Sequence, residues 1–99
     1  MKLKNRIAII TGGGKGIGAE LSLKLASEGA KIIIAEMDVP NGELTAKKIR
    51  ENNGEAIVIK TNVADEDSVN NMANEAINVF GKIDILINNA GTRHINNIL

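Results

Sequence analysis

The run Thr11-Gly12-Gly13-Gly14-Lys15-Gly16-Ile17-Gly18 places five glycines in eight residues, between the apolar stretch IAII and the amphipathic stretch ELSLKLASEG. Glycine inside a strand or helix costs about 0.5–1 kcal/mol relative to alanine, so the cluster must meet some other demand. A backbone without Cβ atoms lets an anion come close. At a turn from strand into helix, it does so where the first helical amides lack partners and the helix dipole leaves about half a positive charge. A pyrophosphate binds at this position in dinucleotide folds. A tight turn with positive φ at one or two positions accounts for two of the glycines, but not for Gly12, Gly16 and Gly18 together. The GxxxxGK[ST] loop of nucleotide hydrolases is not present, because Lys15 precedes Gly16 and no GK[ST] follows. The GxGxxG/A spacing survives only as Gly14-x-Gly16-x-x-Ala19, which carries little weight alone.

Other chemistry is scarce. The chain has no cysteine, which excludes disulfides, thiolate catalysis and thiolate-bound metal and suits a reducing compartment. His94 is the single histidine, with no carboxylate or cysteine neighbour in sequence, and reads as a surface residue rather than a ligand; no metal site is expected. Twelve basic residues balance twelve acidic ones and are scattered, so no field favours nucleic acid or an anionic membrane. The apolar part of MKLKNRIAII is too short for a signal sequence, and no run of 18 apolar residues occurs. A soluble cytoplasmic protein is expected.

The elements that would hold the loop follow from the hydrophobic pattern. Apolar residues make up 43% of the 99 residues, almost all of them Ile, Val, Leu and Ala, which suits one small domain over residues 1–99 with an aliphatic core. Arg6–Thr11, Lys31–Glu36, Glu55–Lys60 and Ile83–Asn88 read as strands. The first three are nearly continuous in Ile and Val, as in strands buried on both faces of a parallel sheet. Between them, Gly16–Ser27 carries Ile17, Leu21, Leu25 and Ala26 at helical spacing, with Gly29 placed to end it. Pro40, Leu44, Ile49 and the pair Asn53-Gly54 frame a second helix. Asp65 or Ser68 caps a third, whose stripe is Val69, Met72, Ala73, Ala76, Ile77 and Phe80 and whose stop is Gly81. The order is βαβαβαβ. Right-handed crossovers then require a doubly wound parallel α/β sheet with helices on both faces.

Two motifs in this order make the reading specific. TGGGKGIG resembles the TGxxxGIG motif of the short-chain dehydrogenase/reductase family, and NNAG at Asn88–Gly91 resembles its second signature, at the end of the fourth strand. The resemblance covers the whole chain and implies a Rossmann-type fold and an NAD(P)-dependent oxidoreductase that moves hydride between the nicotinamide and a secondary alcohol or ketone. By this resemblance Gly12, Gly16 and Gly18 cradle the pyrophosphate and Ile17 offers its backbone N–H. Glu36, eighteen positions after Gly18, stands near the offset of the acid that holds the adenosine ribose. A carboxylate there accepts from the 2′- and 3′-hydroxyls and repels a 2′-phosphate, which argues for NAD over NADP. Lys15 argues the other way, since similar NADP-using enzymes often carry a basic residue before the second motif glycine. The ribose carboxylate meets the phosphate directly while Lys15 can swing into solvent, so NAD is the expected cofactor. Asp38 is a second possible acid, and Glu36 could also be only a solvated strand end.

The segment TNVADEDSV resembles the family's adenine-flanking segment, with Asn62 where an Asp is usual. Its carboxamide oxygen can still accept from the adenine amine, without the charge-assisted strength. Val63 packs either on the ring or in the core. Asn89 resembles the asparagine that ties neighbouring strands, and Ala90 and Gly91 keep the wall beside the nicotinamide ribose small; a merely polar strand end at Asn88 and Asn89 is the alternative.

The family's chemistry rests on a Tyr and Lys spaced YxxxK, a Ser about a dozen residues before the Tyr, and an Asn on the fourth major helix; the Tyr handles the proton. The chain contains no tyrosine, so no catalytic residue is assigned within it. The expectation is a shortened member of the family, ending after the fourth strand and carrying the cofactor-binding part. Its apolar fourth-strand edge would invite self-association. A catalytically inactive nucleotide-binding fragment, or a purely structural assembly fragment of the same fold, is the alternative function.

Overall fold

The computed structural model of the chain describes residues 2–89. The strands are β1 (Ile7–Thr11), β2 (Lys31–Glu36), β3 (Ala56–Lys60) and β4 (Ile85–Asn88), separated by the helices α1 (Gly16–Ser27), α2 (Val39–Glu51) and α3 (Glu66–Phe80). They form one parallel sheet in the order β3-β2-β1-β4. This is the doubly wound Rossmann-type arrangement read from the sequence. Ile9 pairs with Ile33 on one side and Leu86 on the other, which makes β1 the centre of the sheet.

Alternation along the strands divides the core in two. Ala8, Ile10, Ile32, Ile34 and Ala56 face Ala46 and Ile49 of α2, with Leu23, Leu25 and Ala26 of α1 packed on the same cluster. Ile7, Ile9, Ile33, Ala35 and Ile59 face the other way, onto Met72 and Ala76 of α3. Helices therefore cover both faces. β1 is buried throughout and β2 along its centre, but β3 has partly exposed positions and every residue of β4 is half-buried, because these are the outer strands among the described residues.

The helix ends follow local chemistry. Asp38 caps α2 by accepting from the Asn41 N–H, and Asp65 caps α3 by accepting from the Asp67 N–H. Gly81 ends α3 in the left-handed conformation at φ 86°. At the end of α2 the left-handed residue is Asn53 rather than Gly54. The stripes are narrower than their spacing suggests. Ile17 is 69% exposed and Leu44 60% exposed, and Ile77 is also exposed. In α1 it is Gly18 and Ser22 that are buried, because this helix lies so close to the β1 loop that only small residues fit beneath it.

Asp84 settles the start of β4. Its Oδ2 accepts from the Ile7 N–H at 2.8 Å while its own N–H donates to the Ile7 carbonyl at 2.9 Å. Arg6 and Lys82 flank the same carboxylate at 3.5 and 3.1 Å.

Candidate functional site

In an open parallel sheet, loops leaving the carboxyl ends of neighbouring strands diverge where the strand order reverses. Here the chain runs outward from β1 through β2 to β3 and then returns to the far side of β1 as β4. The reversal lies between β1 and β4. Gly12 follows β1, Glu36 ends β2, Asn62 and Val63 follow β3 and Asn89 follows β4, and together with Lys15 they line one cleft of about 380 Å³. Ala35, Met37 and Thr61 complete its wall. The pattern of motifs did not single these three out; Met37 and Thr61 each directly follow a strand in the sequence, which was the available signal.

The glycines divide by role. Gly12 and Gly16 have φ of 69° and 51°, in the region that favours glycine. A Cβ on Gly16 would meet nothing within 4 Å, so its surroundings are open. Gly18 differs. A Cβ there would strike the Gly12 carbonyl and come within 2.6 Å of Asn89 Nδ2, so Gly18 seats α1 on the β1 loop. Gly14 does the same toward α2, where a Cβ would lie 2.7 Å from the Gly42 nitrogen. Ser22 completes the close approach by donating to the Gly18 carbonyl at 2.8 Å, inside the protein.

The N-terminus of α1 is distinctive among the three helices. Lys15 occupies its cap position and makes no capping side-chain hydrogen bond, and its first turn holds no acidic residue. Both other helices are capped by aspartate. The cap residue Lys15 lines the cleft, and no side chain caps the leading amides of α1, whereas Gly16, Ile17 and Gly18 are not among the cleft's lining residues.

Glu36 is held from two sides. Its Oε1 accepts from the Gly14 N–H at 3.1 Å and its Oε2 from the Asp38 N–H at 3.2 Å, which ties the glycine loop to the start of α2. Lys15 remains mostly exposed, and its Nζ stands 3.7 Å from Asp38 Oδ2. The Asn41 backbone N–H is the main influence holding the Asp38 carboxyl below its ordinary value; partial burial opposes it, and the Asn41 side-chain amide and Lys15 add to it.

The Asn62 Oδ1, expected to face a base, accepts from the Ala64 N–H at 3.0 Å in an Asx turn, while the Asn62 N–H donates to Ser68 Oγ at 2.9 Å. One of its oxygen's lone pairs is therefore engaged locally. Across the sheet, the Asn89 N–H donates to Thr11 Oγ1 at 2.8 Å and its Nδ2 to the Gly12 carbonyl at 3.5 Å; Thr11 Oγ1 donates to Asn88 Oδ1 at 3.2 Å. The ends of β1 and β4 are joined through these side chains. Ala90, Gly91 and His94 lie outside the described residues. No group of three His, Cys, Asp or Glu side chains fit for a metal occurs among the described residues, and none of their helices is long and apolar enough to cross a membrane.

A Rossmann-type sheet with a glycine-rich first crossover at its switch point defines a class of nucleotide-binding oxidoreductase folds. The family model for short chain dehydrogenases matches residues 6–99, and the chain belongs to that family. An uncharacterized oxidoreductase of Thermotoga maritima is 38% identical over 97% of this chain and 38% of its own length. The 7alpha-hydroxysteroid dehydrogenase of Escherichia coli K12 is 33% identical over 92% of this chain and 36% of its own. The chain thus spans a little over a third of these curated relatives. Among solved structures, a hydroxysteroid dehydrogenase from Escherichia coli superposes with a TM-score of 0.89 at 33% identity, covering 92% of this chain and 39% of that one. A metagenomic short-chain oxidoreductase in complex with NADP has the same TM-score, 0.89, at 30% identity over 93% of this chain and 42% of that one.

Proposed function

We propose that these 99 residues are the dinucleotide-binding part of an NAD(P)-dependent oxidoreductase acting on a secondary alcohol or ketone, with NAD the preferred cofactor. The observation that carries the proposal is the N-terminus of α1, which no side chain caps, whose cap residue Lys15 lines the switch-point cleft and whose first glycine, Gly16, has positive φ and room for a Cβ that would meet nothing within 4 Å. A pyrophosphate fits that cradle, held by the amides of the Gly12–Gly18 loop, with the Ile17 N–H among them and Gly18 keeping helix and loop in place. Glu36 would take the adenosine ribose, Val63 and Asn62 would flank the base, and Asn89 with Ala90 and Gly91 would border the nicotinamide side. Bound nicotinamide would supply the hydride donor or acceptor. The residues of this chain would bind and orient it, since the tyrosine that the family resemblance implies for proton transfer is not among them.

Glu36 supports NAD because a 2′-phosphate would meet its carboxylate directly. The hydroxysteroid dehydrogenases among the relatives support an alcohol or ketone substrate class, and a cysteine-free chain supports a cytoplasmic setting. Calorimetry of the chain with NAD⁺, NADP⁺ and ADP-ribose tests the proposal. Saturable heat with NAD⁺ and ADP-ribose is expected. The absence of heat with all three overturns cofactor binding and leaves the structural-fragment reading.

A further inference from the structure

The outer edge of β3 is not left bare. β3 stands last in the order β3-β2-β1-β4 and pairs only with β2 among the described residues. In a parallel ladder, alternate residues of a strand turn their N–H and C=O groups toward a given neighbour. The Ile32 N–H donates to the Glu55 carbonyl at 3.0 Å and the Thr61 N–H to the Glu36 carbonyl at 3.2 Å, so the odd-numbered residues of this stretch serve β2. Ala56, Val58 and Lys60 therefore turn their backbone groups outward. A row of such groups is a template for an added strand.

Arg50, in the last turn of α2, occupies that row. Its Nε and Nη2 donate to the Ala56 carbonyl at 3.1 and 2.8 Å, while Nη1 stands 3.4 Å from Glu43 Oε1 on the same helix. The planar fork is engaged on both sides, which fixes it against the strand. At the far end of the edge Lys60 is exposed, and a lysine there resists pairing. That leaves Val58 between two cations, less than the several residues that a paired strand needs. Beside Arg50 lies a notch of about 250 Å³ lined by Ile57, Val79 and Phe80, with Val79 exposed. Without the guanidinium, this edge would offer an incoming strand both its backbone groups and an apolar seat.

We propose that Arg50 is a latch that closes the β3 edge against strand addition by a second copy of this chain. Each copy has a strand to offer, because β4 carries a half-buried aliphatic edge that pairs only with β1 among the described residues. The latch sits at the amino end of β3, the opposite end from the cleft, so it is independent of the cofactor reading. With β3 closed, copies meet through β4 alone, and growth stops at a pair. With β3 open, each copy has two edges, and head-to-tail contacts between β3 and β4 carry assembly beyond a pair.

The test compares the 99-residue chain with its Arg50→Met and Arg50→Lys variants by sedimentation velocity over a concentration series, with folding checked by circular dichroism. Methionine keeps the aliphatic stem and removes every donor; lysine keeps the charge but not the fork. A strand added to Arg50→Met no longer displaces a charge-assisted hydrogen bond, so self-association should tighten about tenfold and reach species larger than a pair. Arg50→Lys should fall between the two. Amide exchange locates the contact: the Val58 and Lys60 N–H groups should gain protection with concentration in Arg50→Met and not in the parent. A folded Arg50→Met that sediments as the parent does at every concentration overturns the latch. Tighter association without added protection at Val58 and Lys60 overturns it too, because the new contact then lies elsewhere. Should Arg50→Met lose its fold, Arg50→Lys carries the same comparison, and sedimentation equal to the parent's then decides against the proposal.

Discussion

Gly16 and Gly18 lie two residues apart and should answer the same substitution in different ways. Gly16→Val places its branches in open space, at the cost of left-handed strain of about 1–2 kcal/mol. Helicity by circular dichroism should survive, and NAD⁺ binding should disappear, because the branches fill the cradle. Gly18→Val drives atoms into the Gly12 backbone and the Asn89 side chain, neither of which can move without opening the sheet end. We expect a loss of about 3 kcal/mol or more and a visibly lower melting temperature. Equal stability of the two variants would show that the close approach of α1 to the β1 loop does not hold in solution. The sequence pointed to both glycines but assigned both to phosphate. Which one answers to packing depends on the distance between a helix and a loop that meet only after folding.

At the scale of elements, Asp84 does work that motif reading passed over. Asp84 pins β4 to β1 through the Ile7 N–H, which together with Lys82 and Arg6 holds its carboxyl below the ordinary 3.8. A folded carboxyl that gives up its proton more readily than the unfolded one contributes stability above the ordinary carboxylate range and loses it as pH falls through and below that range. Stability measured by urea unfolding should therefore fall with acid below about pH 4 in the parent, and Asp84→Asn should flatten that part of the profile. An identical acid limb in the variant would assign the loss to other carboxylates. Asp65→Ala should cost about 1 kcal/mol through loss of the α3 cap, read as a shift in the urea midpoint without change of slope. Pattern alone could place Asp65 or Ser68 at the cap; the structure uses Asp65 for it and turns Ser68 back to accept from the Asn62 N–H.

At the largest scale, two aliphatic layers on the four strands found among the described residues supply the core, and β1 and β2 carry most of it. A domain of this size is stable by only about 5–15 kcal/mol. Ile34, fully buried against the α2 side, should cost about 2–5 kcal/mol on change to alanine, a large share of that total. Among the described residues β4 pairs only with β1, and its half-buried apolar residues run along an outer edge. Such an edge is a template for pairing. Sedimentation velocity of the 99-residue chain should show association that rises with concentration; a single monomer boundary at all concentrations would contradict it.

By itself, the order of hydrophobic periods determined the α/β architecture, the three helix positions and the glycine loop at the first crossover, because each of these is a local pattern that repeats within one element. Only the tertiary structure decided that Gly18 packs while Gly16 stays open, that Lys15 rests on Asp38, that Asn62 turns its oxygen to Ala64, and that Ile17 and Leu44 remain exposed. These outcomes depend on which side chains from distant segments arrive within a few ångströms of one another. Spacing along a chain encodes which face a residue takes, not the depth to which that face is covered or the partner that reaches it first.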